Sequence, residues 1–307
     1  MKTLQASIPI LAIYALWMGV SLAIHWMGRQ LAVSADMQGL LVILSALLFI
    51  FLGFSLTTYY LLHGWPRLDA HPGMYAAWVL ASLALALFLY LMGQHLAIGR
   101  SMIFILNTAN LFVFANLIGA LIIKPLKRPA ELIILCVVLA LSDLFSVISG
   151  PTRVIVKSVK AYYEGGMQGP APPGDFLLIK FPAPGTEMLQ PVFGVSDWII
   201  IVFLSAAAFK FGMNDNLAGK GLSAMAHRRR MGFYVPVAGI GLLLAMAAAN
   251  LLNIFIPVLP MIALVFIGYL LIFHPSARRL KKTDWWLMGG FAAGMLCLLG
   301  AGLFITG

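Results

Sequence analysis

The chain has 307 residues, 62% of them hydrophobic and 10% charged, whereas an ordinary soluble domain carries about 25% charged residues. That excludes a soluble globular enzyme and implies a multi-pass helical membrane protein. The net charge of +10 lies in short loops between apolar runs, which is a topology signal and not a nucleic-acid-binding surface. Cys136 and Cys297 both fall inside apolar runs, so no disulfide framework is expected.

A bilayer core about 30 Å thick takes about 20 residues of helix. Apolar runs of that order cover 8–27, 39–62, 74–98, 102–123, 130–150, 193–213, 233–253, 257–273 and 286–305. The expected fold is therefore all-α and polytopic, with about nine transmembrane helices. The first run follows Lys2 but is too long for a signal-peptide core, so it is expected to be retained as a span. Gly64-Trp65-Pro66 and His71-Pro72-Gly73 bracket the second loop, and His274-Pro275 ends the eighth run. Three parts follow: 1–129 with four spans, 130–273 with the acidic residues discussed below, and 274–307 with one further helix.

Fourteen of the 20 Lys and Arg residues belong to the N-terminus and the second, fourth, sixth and eighth loops. Arg29, Arg100, Arg153, Lys157, Lys160 and Lys180 belong to the other face. The N-terminus is expected in the cytoplasm of a microbial cell, with the protein integral to its cytoplasmic membrane. Arg228–Arg230 serve as topology anchors on the basic side, where anionic lipid headgroups would favour them.

The fifth loop, 151–192, is the sizeable segment outside the apolar runs. Pro151 suits the first position of a helix. Arg153, Lys157 and Lys160 recur at helical spacing while Ile155, Val156 and Val159 occupy other faces, so 151–163 should be an amphipathic helix at the interface. After the Gly- and Pro-rich 165–174, Phe176-Leu177-Leu178-Ile179-Lys180-Phe181 is expected as a short strand closed by Pro182 and Pro184.

Of ten acidic residues, Asp143 and Asp197 alone lie inside the apolar runs and not at their ends or in loops. A charged residue at membrane depth costs about 2.5–3.5 kcal/mol, so each needs a reason to be there. Asp143 lies seven residues before Gly150, and Asp197 lies four after Phe193. At 1.5 Å per residue the two sit roughly 10 Å and 6 Å from the face that carries the fifth loop. Pro257-Val258-Leu259-Pro260 would open the eighth run on that face, with backbone groups that only protein or water could satisfy. Two adjacent carboxyls share a proton, so one can activate water while the other polarises a peptide carbonyl. Gly194 lets backbone approach them closely.

The segment from Asp143 to Val156 resembles that around the first catalytic aspartate of presenilins. Gly194-Val195-Ser196-Asp197 with the following Trp198–Ile201 is similar to the Gly-x-Gly-Asp motif and helix of presenilins and signal peptide peptidases. Ile256-Pro257-Val258-Leu259-Pro260 resembles their Pro-Ala-Leu motif. The resemblance covers 130–273, in the same order and with one span between the second aspartate and the proline motif. Ser196 stands where the family has its second glycine, Ser142 where it has tyrosine, and Val258 where it has alanine. Four spans precede Asp143 where the family has five, and one extra span follows the proline motif.

The resemblance implies an intramembrane aspartyl protease with Asp143 and Asp197 catalytic, needing no cofactor. Its substrate would be a transmembrane-helix protein or peptide, shaped by Gly194, Val195, Ser196, Pro257, Val258 and Leu259. In that family the substrate unwinds and pairs as a strand beside the site. Phe176, Leu177, Leu178 and Ile179 would be the strand to receive it. The alternative for the same two acids is a proton- or cation-coupled transporter, or a membrane scaffold that keeps the fold without proteolysis. Asn107, Asn110, Asn116, Asn250 and Asn253 are expected to hydrogen-bond between helices. The six histidines lack metal-ligand spacing, so no metal is expected.

Overall fold

The computed structural model describes residues 2–30, 34–95, 100–148, 150–167, 169–186, 189–252 and 256–306. The apolar runs become helices: α1 Lys2–Gln30, α2 Ala35–Tyr59, α3 Trp65–Asp69, α4 Pro72–His95, α5 Arg100–Ile122 and α6 Ala130–Ile148. The stretches Gln5–Gly28, Met37–Asp69, Pro72–His95, Arg100–Ile122 and Ala130–Ile148 are each long and apolar enough to cross a membrane. The chain is thus a multi-pass membrane protein, mostly helical. Gly64-Trp65-Pro66, expected as a loop, stays helical. Pro66 has no N–H to continue an α-helical ladder, and Tyr60–Gly64 accommodates it as a π turn in which the Trp65 N–H reaches Tyr60 O.

The second half departs further from uniform spans. The amphipathic helix α7 is Pro151–Glu164, with Pro151 at its first position as expected. A 3₁₀ turn, Pro173–Leu177, precedes strand β1, Leu178–Phe181. Strand β2, Gln190–Gly194, pairs antiparallel with β1, with Ile179 opposite Phe193 and a bulge after Ile179. It consumes the start of the expected sixth span, so helix α8 is Val195–Lys210. A short α9, Leu222–Arg228, follows, then α10 Val237–Leu252, α11 Val258–Phe273 and α12 Lys282–Thr306. Helices α8, α10 and α11 have 16 residues each, about 24 Å of rise.

Helix α5 is the centre of the bundle. It packs against α1, α4 and α8, and its buried face runs almost continuously from Asn107 to Ala120. Trp17 of α1 stacks on its Phe112 at 4.4 Å between ring centroids. At Gly119 a β-carbon would lie 2.7 Å from the Ile199 carbonyl oxygen, so α5 and α8 touch backbone to backbone. Lys210 at the end of α8 donates to the carbonyls of Ile123, Lys124 and Leu126 in the turn just beyond α5, where Ile123 O also accepts the Leu126 N–H. On the same principle Arg128 forks onto both oxygens of Asp284 and also holds Glu131, which ties the start of α12 to that of α6.

The asparagines divide. Asn110 bridges helices, donating to Ser82 O and accepting from Tyr14 OH. Asn107 reaches out of the helices to Phe176 O. Asn116 and Asn250, expected to bridge helices, instead donate to carbonyls of their own helices, Phe112 and Met246. Asn253 lies outside the described residues.

The segment between α8 and α10 is a polar knot. Asn216 accepts from the N–H groups of Ala218 and Val235 and donates to Lys220 O and Phe233 O. Beside it Asp215 is 1% exposed and accepts from Tyr234 OH at 2.6 Å. Tyr269 OH donates to Asn214 O, and His274 Nε2 lies 2.6 Å from that hydroxyl. Burial pushes the Asp215 carboxyl up to about 7, opposed by the Tyr234 hydrogen bond. Burial also lowers His274 from its ordinary value.

A carboxyl raised on folding keeps its proton in the folded chain after the unfolded chain has lost it at about pH 4. Its contribution to stability is therefore full below about pH 4 and is lost as pH rises through about 7. His274, lowered on folding, contributes with the opposite slope. The thermal midpoint of the purified protein in detergent, followed from about pH 4.5 to about pH 8, should fall less steeply in Asp215→Asn than in the unsubstituted chain. Parallel curves would mean that Asp215 does not bind a proton on folding.

Candidate active site

Asp197 is set by what surrounds it more than by its own contacts. It occupies the third position of α8, and its Oδ2 accepts the Gly194 N–H at 2.9 Å. That is one half of a capping box, since Gly194 has no side chain to return the bond. A carboxylate in the first turn is also favoured by the helix dipole. Asp197 therefore sits at a helix entrance and not four residues into a span, because β2 ends at Gly194. It is 8% exposed.

The next residue, Trp198, is fully buried and holds the turn in place. Its ring stacks on Phe193 at 5.3 Å and on Phe54 at 5.5 Å, and a tilted Phe112 lies at 5.4 Å. Its indole N–H donates to Thr57 Oγ1. Gly53 leaves room for it, for a β-carbon there would lie 2.7 Å from the indole. Asp197 is thus locked through its neighbour to α2, α5 and β2.

Asp143 lies in the last turns of α6 and is half-buried. The Leu259 backbone N–H acts electrostatically on its carboxyl. Pro257 is the N-cap of α11, so Leu259 is in the first turn, where the helix has no carbonyl to offer that N–H. Helix α11 packs against both α6 and α8. The Asp143 and Asp197 carboxyls are near enough for like-charge repulsion to couple them. The two acids and the proline turn therefore come together at one place, through α11.

Val258 and Leu259 are half-buried, as are Gly194 and Val195, while Ser196 is exposed. A β-carbon at Gly194 would meet Ser196 Oγ at 3.2 Å and Asp197 Oδ2 at 3.4 Å. The Ser196 hydroxyl and the Asp197 carboxyl thus both lie close to Gly194, and Ser196 is exposed.

The strand residues fare differently. Phe176 belongs to the 3₁₀ turn and is a buried anchor, with its ring 5.0 Å from Phe104 and 5.1 Å from Tyr90. Ile179 is 2% exposed. The Phe176 carbonyl is taken by Asn107, and the Lys180 N–H by Thr108 Oγ1. With β2 on one edge and α5 against it, β1 is engaged within the protein. Leu177 is exposed and Leu178 half-buried. The sequence pattern finds β1 but misses β2, whose Pro191 and terminal Gly194 are poor strand signals. It also misses Trp198, which one chain position cannot distinguish from any apolar residue of a span.

Comparison of the chain with protein-family models, curated proteins and solved structures finds no match.

The packing that holds Asp197 can be tested at Gly119. Gly119→Val forces a side chain against α8 backbone, and overpacking of this kind costs about 1–3 kcal/mol. The thermal midpoint in detergent should drop by several degrees. Gly268→Val, in α11 with nothing within 4 Å of a β-carbon, should leave it unchanged. Equal melting of both variants would contradict the α5–α8 contact.

Proposed function

We propose that the chain is an intramembrane aspartyl protease of presenilin-like fold that hydrolyses peptide bonds in or near transmembrane helices. The observation that carries the proposal is the meeting of Asp143 and Asp197 beside the Leu259 amide, at the ends of three different elements. A merely structural acid pair in lipid would be expected to use its oxygens on partners that neutralise it. Asp197 accepts a neutral backbone N–H, a backbone amide acts on Asp143, and the two carboxyls are close enough to influence each other.

In the proposed reaction one carboxylate takes a proton from water as the oxygen attacks the peptide carbonyl. The protonated partner donates a hydrogen bond to the carbonyl oxygen, giving a tetrahedral diol. Transfer of a proton to the amide nitrogen then breaks the C–N bond and releases a carboxylic acid and an amine. The backbone donors at Gly194 and Leu259 hold each carboxyl without supplying a competing charge. The substrate helix must unwind to expose its carbonyl, and its freed backbone needs partners. Because β1 is already engaged, the proposed docking strand is β2, which runs directly into Asp197. Exposed Ser196 and half-buried Val258 and Leu259 would line the substrate path. From the charge asymmetry, the side carrying 151–192 is proposed to be extracytoplasmic.

The test is cleavage of a reporter whose transmembrane helix carries a tag on each end, incubated with purified protein in lipid. Asp143→Asn and Asp197→Asn both keep an oxygen to accept the backbone N–H, so both should fold with an unchanged thermal midpoint. Each should lower the cleavage rate by a factor of at least about 10³, as loss of one member of a catalytic unit does. A single variant with unimpaired cleavage would remove the dyad. Ion-dependent flux into vesicles that survives without cleavage would favour a transporter.

A further inference from the structure

A second polar cluster, unrelated to the aspartates, lies where the start of α5 meets the end of α7 and β1. It surrounds a cavity of about 80 Å³ lined by Arg100, Phe104, Tyr163, Asp175, Lys180 and Leu189 among others. The ammonium of Lys180 lies 2.5 Å from Asp175 Oδ2, with the two side chains 3% and 0% exposed. The other Asp175 oxygen accepts from Tyr163 OH at 2.9 Å. Lys180 Nζ also sits 3.6 Å from the centre of the Phe104 ring. Both oxygens of Asp175 are therefore occupied and its charge is balanced by Lys180.

Arg100 is left over. It forms no ion pair among the described residues. One terminal nitrogen donates to Gly169 O at 3.0 Å, and Nε is buried with no partner. An unmet buried donor on a charged group is costly, and native proteins rarely leave one without a bound partner. Arg100 is also the first residue of α5, so the positive end of that helix adds to the field. With Lys180 balanced by Asp175, the Arg100 guanidinium that lines this small cavity leaves it one net positive charge, which selects an oxyanion. About 80 Å³ is room for a single such group, since one water occupies about 30 Å³ in the liquid.

The surroundings indicate where the oxyanion comes from. Met102 and Leu177, each two residues along the chain from the lining Arg100 and Asp175, are 51% and 50% exposed, and α7, whose Tyr162 and Tyr163 line the cavity, is an amphipathic helix suited to the membrane interface. A phosphate seated here would have apolar surface beside it for the chains it is attached to.

We propose that this cavity is a phosphate site at the membrane interface, with Arg100 as its principal ligand. A lipid phosphomonoester and inorganic phosphate share the chemistry, and the observations favour the lipid. The proposal is independent of any reading of Asp143 and Asp197.

The experiment uses the full chain. In nanodiscs of phosphatidylcholine doped with phosphatidic acid, native mass spectrometry should show phosphatidic acid retained preferentially. Arg100→Gln should lower that retention about tenfold, the scale of one charge-assisted bond. Arg100→Lys, which keeps the charge and loses the fork, should lower it less. Lys220→Gln, at an exposed cation elsewhere, should leave it unchanged. In detergent, stabilisation of the unsubstituted chain by inorganic phosphate but not by short-chain phosphatidic acid would assign the site to free phosphate. Acetate stabilising as well as either phosphate would overturn the proposal in favour of a peptide carboxylate. Equal retention by the unsubstituted chain and Arg100→Gln would overturn it outright. The phosphate-against-acetate comparison needs no variant, so misfolding of a substituted protein leaves the outcome decisive.

Discussion

The structure depends on the seat of Trp198. A single indole, closed between Phe54, Phe112 and Phe193 and hydrogen-bonded to Thr57, joins α2, α5, β2 and α8 around the residue next to Asp197. Stacked aromatic pairs contribute about 0.5–1.5 kcal/mol each beyond their area, and in lipid such packing must replace the hydrophobic effect between helices. Gly53 and Gly119 are the concessions that let the ring and the α8 backbone come so close. A carboxyl on the first turn of a loosely held helix would wander by ångströms. Here its carrier is wedged on three sides.

A membrane protein that places strand and turn backbone among its helices must satisfy every freed N–H and C=O from within. This chain does so with short polar side chains of α5 and with the acids themselves. Asn107 and Thr108 hold the start of β1. Asp197 takes the N–H at the end of β2, and a free amide of the first turn of α11 acts on Asp143. The acids are thus structural acceptors and, in the proposed reaction, chemical groups at once. Among the described residues neither acid forms an ion pair, so backbone donors are what offset their burial.

The helices α1, α2, α4, α5 and α6 were legible because length and hydropathy alone decide them. So were α7, from its proline and its spaced basic residues, and the convergence of Asp143, Asp197 and Pro257–Leu259, from parity and depth. The strand β2 was not legible, because Pro191 and Gly194 argue against a strand and only pairing with β1 overrides them. The same hidden pairing moved Asp197 from a span interior to a helix entrance. Asn116 and Asn250 bonding their own helices, and the π turn at Tyr60–Gly64, likewise follow from local geometry that composition does not encode. Lys180, which looked like one more loop cation, is an almost completely buried partner of Asp175. Burial pushes its ammonium below the ordinary lysine range against the pull of that partner.

Ser196 marks the sharpest difference from the family pattern, and its placement bears on how far the difference matters. A side chain at that position could fill the space in front of Asp197 or turn away from it. It is exposed, on the second position of α8, while the carboxylate turns back to the Gly194 N–H. The close approach to the carboxyl is made by Gly194, where even a methyl group would contact both Ser196 Oγ and Asp197 Oδ2. At Ser196 a hydroxyl adds a hydrogen-bonding group to the rim of the site, where an unwound substrate backbone would need one.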